Sequence, residues 1–225
     1  PYPYVPGPSD GNKTDDSEYC NDFYGGDIEG IIQKLDYIQS LGVNVIYINP
    51  IFRAPSNHKY DTADYMNIDE AFGDSEIFDR LIEEASSRGI RVILDTSLNH
   101  CGSDSVYMDR YGKYETYGAF EGEVIRKDSP YYEWFEWNEK ATAADQKYAQ
   151  WANPTLANLK EVESYKDFAY RKEDSVMKYW LSKGIGGWRM DVTPWVSDEF
   201  WKDWRAEVKR DYPDAFLISE VWFDA

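Results

Sequence analysis

The sequence predicts an α/β fold of the (β/α)8 barrel type, in which helices surround a parallel sheet. Amphipathic helical patterns are followed at once by short apolar runs, as expected for alternating helices and parallel strands. Charged residues come directly after these runs, which is where a barrel carries its functional side chains. Glycine-rich turns typical of dinucleotide-binding sheets do not follow the runs, so the barrel is favoured over a doubly wound sheet.

Four helix–strand units can be recognised along the chain. Each helix has apolar residues at helical spacing, and the second helix has Asp74 or Ser75 as its expected N-cap. A glycine or a proline then separates each helix from the next apolar run. The predicted helices cover residues 28–41, 75–88, 165–183 and 197–210, and the strands that follow them cover residues 43–48, 90–94, 185–190 and 215–219.

The number of strands predicts that the barrel is incomplete in this chain. A closed barrel of this type has eight parallel strands, and four are predicted here. Residues 1–9 contain four prolines, which oppose a central strand at the position where a first barrel strand is expected.

A polar and aromatic stretch interrupts the alternation after the second strand and predicts an inserted subdomain. We expect residues 1–100 to form the first part of the barrel, 101–160 the subdomain, and 161–225 further barrel units. The aromatic residues of the insertion include Tyr131, Tyr132, Trp134, Phe135, Trp137 and Trp151.

The composition supports a genuine core and argues against a polyanionic partner. The chain has 225 residues, 42% of them hydrophobic, and a formal charge of -18 from 42 acidic and 24 basic residues. Because phosphate backbones are bound by Lys and Arg, we expect no nucleic-acid partner. We also expect no membrane partner, since no apolar stretch approaches the length of a membrane span and residues 1–9 do not resemble a signal peptide.

Carboxylates at the ends of successive strands indicate hydrolytic chemistry on sugars. Asp191 and Glu220 each follow an apolar run. Asp95 follows the apolar run of the strand before them, and His100 comes shortly after it. Cleavage of a glycosidic bond needs an acid for the leaving oxygen and a second carboxylate at the sugar carbon. Each acid taken alone is better explained by a strand-end salt bridge, but three on successive strands favour a catalytic site.

Neighbouring residues predict a different protonation state for each of the two acids. Arg189 lies two residues before Asp191 on the same strand face, so we expect it to hold Asp191 ionised. Glu220 is followed by apolar Val221 and Trp222, and desolvation there is expected to raise its pKa and keep it protonated as the acid.

Oxygen-bearing residues near the N-terminus suit a calcium ion, although composition alone favours a solvated acidic turn. They alternate with small or polar residues, and a Gly-Gly-Asp segment follows them. The residues concerned are Asp10, Asn12, Asp15, Asp16, Gly25 and Asp27.

Several of these segments resemble a known family. DTSLNH at 95–100, GWRMD at 187–191 and EVW at 220–222 are similar to the signature segments of the α-amylase superfamily, glycoside hydrolase family 13. The segments FYGGDIEGI, YINPIF and PSNHKYDTADY further resemble the branch of cyclomaltodextrinases, neopullulanases and maltodextrin glucosidases.

The resemblance assigns catalytic roles to three residues. Asp191 would be the nucleophile that forms a glycosyl-enzyme, Glu220 the general acid and then base, and Arg189 the contact to the nucleophile. The reaction would retain the anomeric configuration.

The resemblance also implies four substrate contacts. His100 would hydrogen-bond the sugar at the cleavage subsite, Tyr60 would stack beneath it, Asp95 would support them, and Trp222 would border the aglycone side. Taken without the resemblance, Tyr60 reads as a core aromatic residue and His100 as a satisfied strand-end histidine.

The same resemblance places a loop calcium site at the N-terminal cluster. Its ligands would be four side chains, the carbonyl of Gly25 and the carboxylate of Asp27.

The resemblance thus implies a retaining hydrolase of α-1,4 bonds, and in some members α-1,6 bonds, in starch-type maltodextrins and cyclodextrins. The alternatives are an α-glucan transglycosylase and a non-catalytic carbohydrate-binding scaffold of the same fold. The expected partners are the glucan, the remaining part of the barrel and a second copy in a homodimer, and the expected compartment is the cytoplasm. The 225-residue chain by itself is expected to be inactive, because it lacks barrel strands and the aspartate of a second His-Asp segment.

Overall fold

The computed structural model describes residues 25–223 and, as backbone strands, Val5–Pro8 and Asp22–Phe23. The strands of this part are β1 (Val5–Pro8), β2 (Asp22–Phe23), β3 (Val45–Ile48), β4 (Phe52–Arg53), β5 (Asp64–Ile68), β6 (Arg91–Ser97), β7 (His100–Gly102), β8 (Leu156–Asn158), β9 (Gly187–Asp191) and β10 (Phe216–Ser219). Its α-helices are α1 (Ile28–Ile32), α2 (Leu35–Ser40), α3 (Ser75–Ser87), α4 (Glu163–Lys166), α5 (Val176–Ser182) and α6 (Asp198–Asp211).

The four predicted barrel strands form one parallel sheet in the order β10-β9-β6-β3. This order confirms the predicted succession of parallel strands. The register places Arg189 of β9 between Asp95 of β6 and Ile218 of β10. Gly187 makes the close approach of β9 and β10 possible, because a Cβ there would lie 2.0 Å from the Phe216 carbonyl oxygen.

The helices cover one face of this sheet and bury its apolar side chains. Trp180 of α5 packs edge-on against Phe78 of α3, with ring centroids 5.2 Å apart, and lies equally close to Phe52. The indole N–H of Trp180 donates to the Tyr65 carbonyl oxygen at 2.9 Å, so this buried polar group is satisfied. The apolar core lies on this helical side, which leaves the opposite face and the strand ends for polar residues.

Two long helices predicted from apolar spacing are interrupted. The helix expected over residues 28–41 is divided into α1 and α2, because the Lys34 amide bonds the Ile31 carbonyl three residues back and tightens the turn. The helix expected over residues 165–183 begins as α4, continues as a π-helical turn over Asp167–Arg171, and resumes as α5. Apolar periodicity records which face is buried, and it does not detect such changes in hydrogen bonding.

The N-caps of α3 and α6 lie at or next to the helix starts predicted from the sequence. Asp74 is the N-cap of α3, since its carboxylate accepts from the Ile77 amide at 2.8 Å. Ser197 caps α6 in the same way through the Phe200 amide at 3.1 Å, so this helix begins one residue later than expected.

The stretch between β7 and β8 departs from the barrel pattern. β7 and β8 pair antiparallel, and the chain between them contains short 3₁₀ turns at Glu121–Glu123, Tyr132–Trp134 and Ala144–Gln146. Trp134 of this stretch packs on Phe168 beside α4, with ring centroids 5.0 Å apart. The residue boundaries proposed for an inserted subdomain stay a prediction.

The proline-containing β1 pairs antiparallel with β2 in a separate two-stranded sheet. A strand therefore does form within residues 5–8 despite their prolines, and it lies in a sheet separate from the parallel one. Within the described residues no helix combines the length and apolar character needed to cross a bilayer.

Candidate active site

The carboxyl ends of three adjacent strands bring the predicted catalytic residues together. Asp95 lies on β6 opposite Arg189 of β9, and Asp191 lies two residues further on the same face of β9. Glu220 follows β10 directly, and its amide donates to the Met190 carbonyl at 3.0 Å. These strands therefore place one guanidinium and three carboxylates at one edge of the sheet.

Arg189 contacts all three carboxylates. Its Nη1 donates to Asp95 Oδ2 at 2.9 Å and to Asp191 Oδ1 at 2.7 Å, and its Nη2 lies 3.1 Å from Glu220 Oε1. The side chains are largely withdrawn from solvent, with exposed fractions of 16% for Arg189 and 14% for Asp191. The predicted contact between Arg189 and Asp191 is therefore present.

Asp95 is enclosed at the base of the cluster, where its side chain is fully buried. Its carboxylate accepts from the Tyr60 hydroxyl at 2.7 Å and from the Tyr47 hydroxyl. Burial raises the pKa of Asp95, although the two hydroxyls and the Arg189 charge oppose the shift.

The expected protonation order of the two candidate catalytic acids is wrong in this structure. Burial, and then the hydrogen bond with Glu220, raise the pKa of Asp191 to about 7 even though Arg189 lowers it. For Glu220 burial also raises the pKa, but hydrogen bonds from the Val192 amide at 2.9 Å, from Asp191 and from Trp222 outweigh it, and the net shift is downward. Since one guanidinium serves three carboxylates, the pair retains a proton near neutral pH, and the opposite directions of the two pKa shifts favour Asp191 as the group that carries it.

The residue that donates this hydrogen bond to Glu220 has an unusual backbone conformation. Val192 has φ 46°, in the left-handed region that a β-branched residue rarely adopts. Its amide donates to Glu220 Oε2 at 2.9 Å. Strained residues of this kind cluster at functional sites.

Tyr47 is a member of the cluster that the sequence interpretation missed. It lies on β3 opposite Ile93, two residues before Asp95, so strand alternation places it on the same inner face. Burial, followed by the hydrogen bond to Asp95, raises its pKa to about 12. A tyrosine among the apolar residues of a predicted strand was the available signal.

Tyr60 reaches the cluster from the loop between β4 and β5. Its hydroxyl accepts from Arg189 Nη1 at 3.2 Å in addition to its bond to Asp95. The ring is half-buried, so Tyr60 is placed in the polar site and not among the core aromatic residues.

His100 lies beside the cluster and is 1% exposed. Its Nδ1 is 2.8 Å from Asn99 Oδ1, and its Nε2 is 3.1 Å from the Tyr60 carbonyl oxygen. Burial lowers its pKa to about 4, so the ring is neutral near neutral pH. A neutral ring has one N–H, so it donates to only one of these two oxygens. The contact with sugar implied by the resemblance stays a prediction.

Three tryptophans line the rim of the site. Trp151 packs flat against His100 with 6.5 Å between ring centroids, and it lies 4.6 Å from Trp195. Trp195 in turn lies 5.2 Å from Trp222, whose indole N–H donates to Glu220 Oε1 at 3.1 Å. Trp195 and Trp222 are 53% and 55% exposed, so this rim offers flat apolar surfaces to solvent next to the carboxylates.

Only part of the predicted calcium site can be located. Asp10, Asn12, Asp15 and Asp16 lie outside the described residues. Asp27 is the N-cap of α1 and accepts from the Gly30 amide at 2.6 Å, and Gly25 precedes it with φ 75°. Among the side chains from residue 25 to 223 there is no group of three or more His, Cys, Asp or Glu that could hold a metal ion.

A parallel sheet that carries arginine-linked carboxylates at its strand ends is an arrangement typical of barrel enzymes that cleave glycosidic bonds. Residues 7–225 match the catalytic domain of alpha amylase. The chain belongs to the alpha-amylase family, whose members are glycosidases and commonly bind calcium.

The relatives include the branch that the sequence segments indicated. The chain is 41% identical to an amylopullulanase of Thermoanaerobacter thermohydrosulfuricus over 240 residues, which is 97% of this chain and 16% of that protein. It is 38% identical to neopullulanase 2 of Thermoactinomyces vulgaris, covering 90% of this chain and 33% of that protein. The same three figures describe its match to a cyclomaltodextrinase of Geobacillus thermopakistaniensis (strain MAS1). The chain therefore spans at most about a third of the length of these relatives.

Solved structures agree on the fold. The cyclic alpha-maltosyl-(1→6)-maltose hydrolase of Arthrobacter globiformis superposes with a TM-score of 0.77 at 33% identity, covering 90% of this chain and 43% of that one. Such neighbours are TIM-barrel enzymes of the alpha-amylase family, so the prediction of a partial (β/α)8 barrel is confirmed.

Proposed function

We propose that the full-length protein is a retaining glycoside hydrolase that cleaves α-1,4 glucosidic bonds, and α-1,6 bonds at branches, in maltodextrins and cyclodextrins. The observation that carries the proposal is the placement of Asp191 and Glu220 at the ends of the neighbouring strands β9 and β10, with Arg189 bridging them. The named activities of the relatives, which include a cyclomaltodextrinase and a neopullulanase, support the substrate class.

The proposed mechanism is a double displacement. Glu220 protonates the leaving glycosidic oxygen, Asp191 attacks the sugar carbon to form a glycosyl-enzyme, and Glu220 then activates water to release the sugar. Arg189 contacts both carboxyls, Asp191 at 2.7 Å and Glu220 at 3.1 Å, and so holds them close to each other. This proximity supports retention, because inverting enzymes hold their carboxyls about 6.5–9.5 Å apart to admit water between them.

The protonation found for the pair fits this mechanism after one proton transfer. The reaction needs the shared proton on Glu220 and the charge on Asp191, whereas the free site favours the reverse. A substrate that brings developing positive charge next to Asp191 stabilises its ionised form, and the proton then passes along the hydrogen bond to Glu220.

We assign substrate contacts to four residues. Tyr60 stacks beneath the sugar at the cleavage position, and Asp95 supports its hydroxyl from below. His100 hydrogen-bonds the sugar after exchanging one of its present partners, and Trp222 borders the aglycone side. The exposed Trp195 next to Trp222 favours sugar acceptors at this rim, which supports transglycosylation as a second activity of the same intermediate.

We also propose a calcium ion in the N-terminal loop. Its ligands are the side chains of Asp10, Asn12, Asp15 and Asp16 with the Gly25 carbonyl and the Asp27 carboxylate. This all-oxygen set suits calcium, and a carboxylate has two oxygens, so Asp27 can cap α1 through one and bind the ion through the other. The division at residues 100 and 160 is a proposal that rests on the interrupted alternation of helices and strands. The homodimer and the cytoplasmic location are proposals that rest on the resemblance.

The function is tested by digesting maltohexaose and β-cyclodextrin with the full-length protein and separating the products by HPLC. Asp191→Asn is expected to lower kcat by at least about a thousandfold, as loss of a nucleophile does in other enzymes. Product lengths then separate hydrolysis from transfer. A folded full-length protein without turnover would instead support the non-catalytic scaffold.

A further inference from the structure

A buried ammonium group lies immediately before Tyr60. Lys59 is 2% exposed, and its Nζ lies 2.7 Å from Asp69 Oδ2 and donates to the Ala54 carbonyl oxygen at 2.8 Å. The side chains of this ion pair are 3% and 12% exposed. Burying both charges costs desolvation energy that their attraction only partly returns, so such a pair is weak support for a purely stabilising role.

Asp69 connects the first residue of the loop that carries Tyr60 with the middle of that loop. Besides Lys59, its carboxylate accepts from the Ala54 amide at 3.1 Å and from the Ala71 amide at 3.0 Å. Ala54 begins the loop directly after β4, and Asp69 follows the end of β5. The carboxylate thus fixes the first residue of the loop, the side chain before Tyr60 and the segment after β5.

The backbone at Lys59 is held in a strained conformation. Its φ is 62°, in the left-handed region that lysine seldom occupies. Its amide donates to Ser56 Oγ at 3.0 Å, and its carbonyl accepts from the Thr62 hydroxyl at 3.3 Å. Strain of this kind persists only where surrounding contacts determine the conformation. Here the Lys59 side chain is buried, whereas the next side chain, Tyr60, contacts Asp95 and Arg189 in the site.

Tyr60 itself is fixed at its backbone and at its hydroxyl. Its amide donates to His58 Nδ1 at 3.1 Å, and its carbonyl oxygen lies 3.1 Å from His100 Nε2. At the other end, the hydroxyl joins Asp95 and Arg189. A shift of the loop at Lys59 would therefore move the ring relative to the carboxylates.

We propose that Lys59 and Asp69 form a positioning pair that holds the Tyr60 ring in register with the catalytic carboxylates. The inference rests on the proposed function, because it takes Tyr60 to contact the sugar. Neither Lys59 nor Asp69 touches the reacting atoms, and both act through Tyr60.

A double-mutant cycle in the full-length protein tests the pair. Lys59→Met is expected to lower kcat/KM for maltohexaose about 10- to 100-fold, since small misplacements of binding groups cost up to about a hundredfold. In a Tyr60→Ala background the same change is expected to cost less than about threefold, because the ring that it displaces is gone. Equal losses in the two backgrounds would overturn the proposal.

The matched control is Lys178→Met. Lys178 is another buried lysine with acidic partners, 3.1 Å from Asp211 and 3.4 Å from Glu207 of α6, and it lies on α5 outside the site. It is expected to lower the melting temperature without changing kcat/KM below the transition. A loss of activity as large as that of Lys59→Met would show a general effect of removing a buried charge, which contradicts the proposal.

Hydrogen exchange separates failure of the inference from failure of the function. The segment 54–62 is expected to exchange faster in Lys59→Met and in Asp69→Asn than in the parent protein or in Lys178→Met. If the parent protein has no turnover, the proposed function fails. The exchange rate of segment 54–62 then decides by itself whether Lys59 and Asp69 position the loop. Unchanged exchange in segment 54–62 would overturn it in either case.

Discussion

At the scale of single residues, the site is governed by the ratio of one guanidinium to three carboxylates. Full ionisation of Asp95, Asp191 and Glu220 around Arg189 would leave two uncompensated negative charges in a largely buried space. Retaining a proton on Asp191 relieves this repulsion. The site therefore has a built-in dependence on pH.

The raised pKa of Asp191 predicts a cost in stability that appears as the pH rises. The folded state holds the proton up to about pH 7, whereas the unfolded chain releases it near 3.8. Stability is thus lost progressively between these values. Asp191→Asn has no such proton to lose, so we expect its melting temperature relative to the parent to increase from pH 5 to pH 8.

Thermal unfolding of the full-length protein across this range measures the effect, with Asp214→Asn as the control because Asp214 is exposed. A difference between Asp191→Asn and the parent that stays constant with pH would contradict the assigned protonation.

Tyr47 gives a second prediction at this scale. Tyr47→Phe removes a hydroxyl that donates to the buried Asp95, and hydrogen bonds to charged groups contribute about 1.5–3 kcal/mol. We expect the free energy of unfolding to fall by about that amount in urea titrations. Tyr37→Phe is the control, since Tyr37 is 63% exposed and should change stability little. Equal effects of the two substitutions would exclude a special role for Tyr47.

Most residues of the cluster could be predicted from the sequence, but Tyr47 and the protonation of the two acids could not. Asp191, Arg189 and Glu220 follow apolar runs, and strand alternation alone places them on one face. The order of their pKa values depends on the Val192 amide and on contacts between strands, and neither of these is encoded by spacing.

At the scale of elements, strands were predicted better than long helices. The four strands of the parallel sheet were found because each is a compact apolar run bounded by glycine or proline. The break between α4 and α5 involves the Arg171 carbonyl, which accepts from the Lys178 ammonium at 2.9 Å. This is a contact between side chain and backbone that apolar periodicity cannot register.

Two helix caps allow a controlled test of the calcium proposal. Asp27 and Asp74 are both N-caps whose carboxylates accept a backbone amide, so replacing either by Ala should cost about 1 kcal/mol of stability. Only Asp27 is proposed as a calcium ligand. We therefore expect the melting temperature of the parent and of Asp74→Ala to fall on chelation, and that of Asp27→Ala to respond much less.

Differential scanning fluorimetry with calcium and with EDTA provides the measurement. If all three proteins respond equally to EDTA, Asp27 is not a ligand. If none of them responds, the loop is the solvated acidic turn of the alternative interpretation.

At the scale of the whole molecule, the parallel sheet predicts dependence on further barrel strands. Within the described residues β3 and β10 each pair on one side only, and Phe216 and Ile218 of β10 are 43% and 44% exposed. Parallel sheets are normally covered on both faces, and open edges promote association. Glu220 follows this exposed strand, so its position depends on what covers β10.

We expect the 225-residue chain alone to release no glucose from maltotriose, and a separately expressed remainder of the barrel to restore release when the two are refolded together. Glucose release by the purified chain that scales with its concentration, and is absent from an Asp191→Asn version, would show that four strands suffice to hold the site.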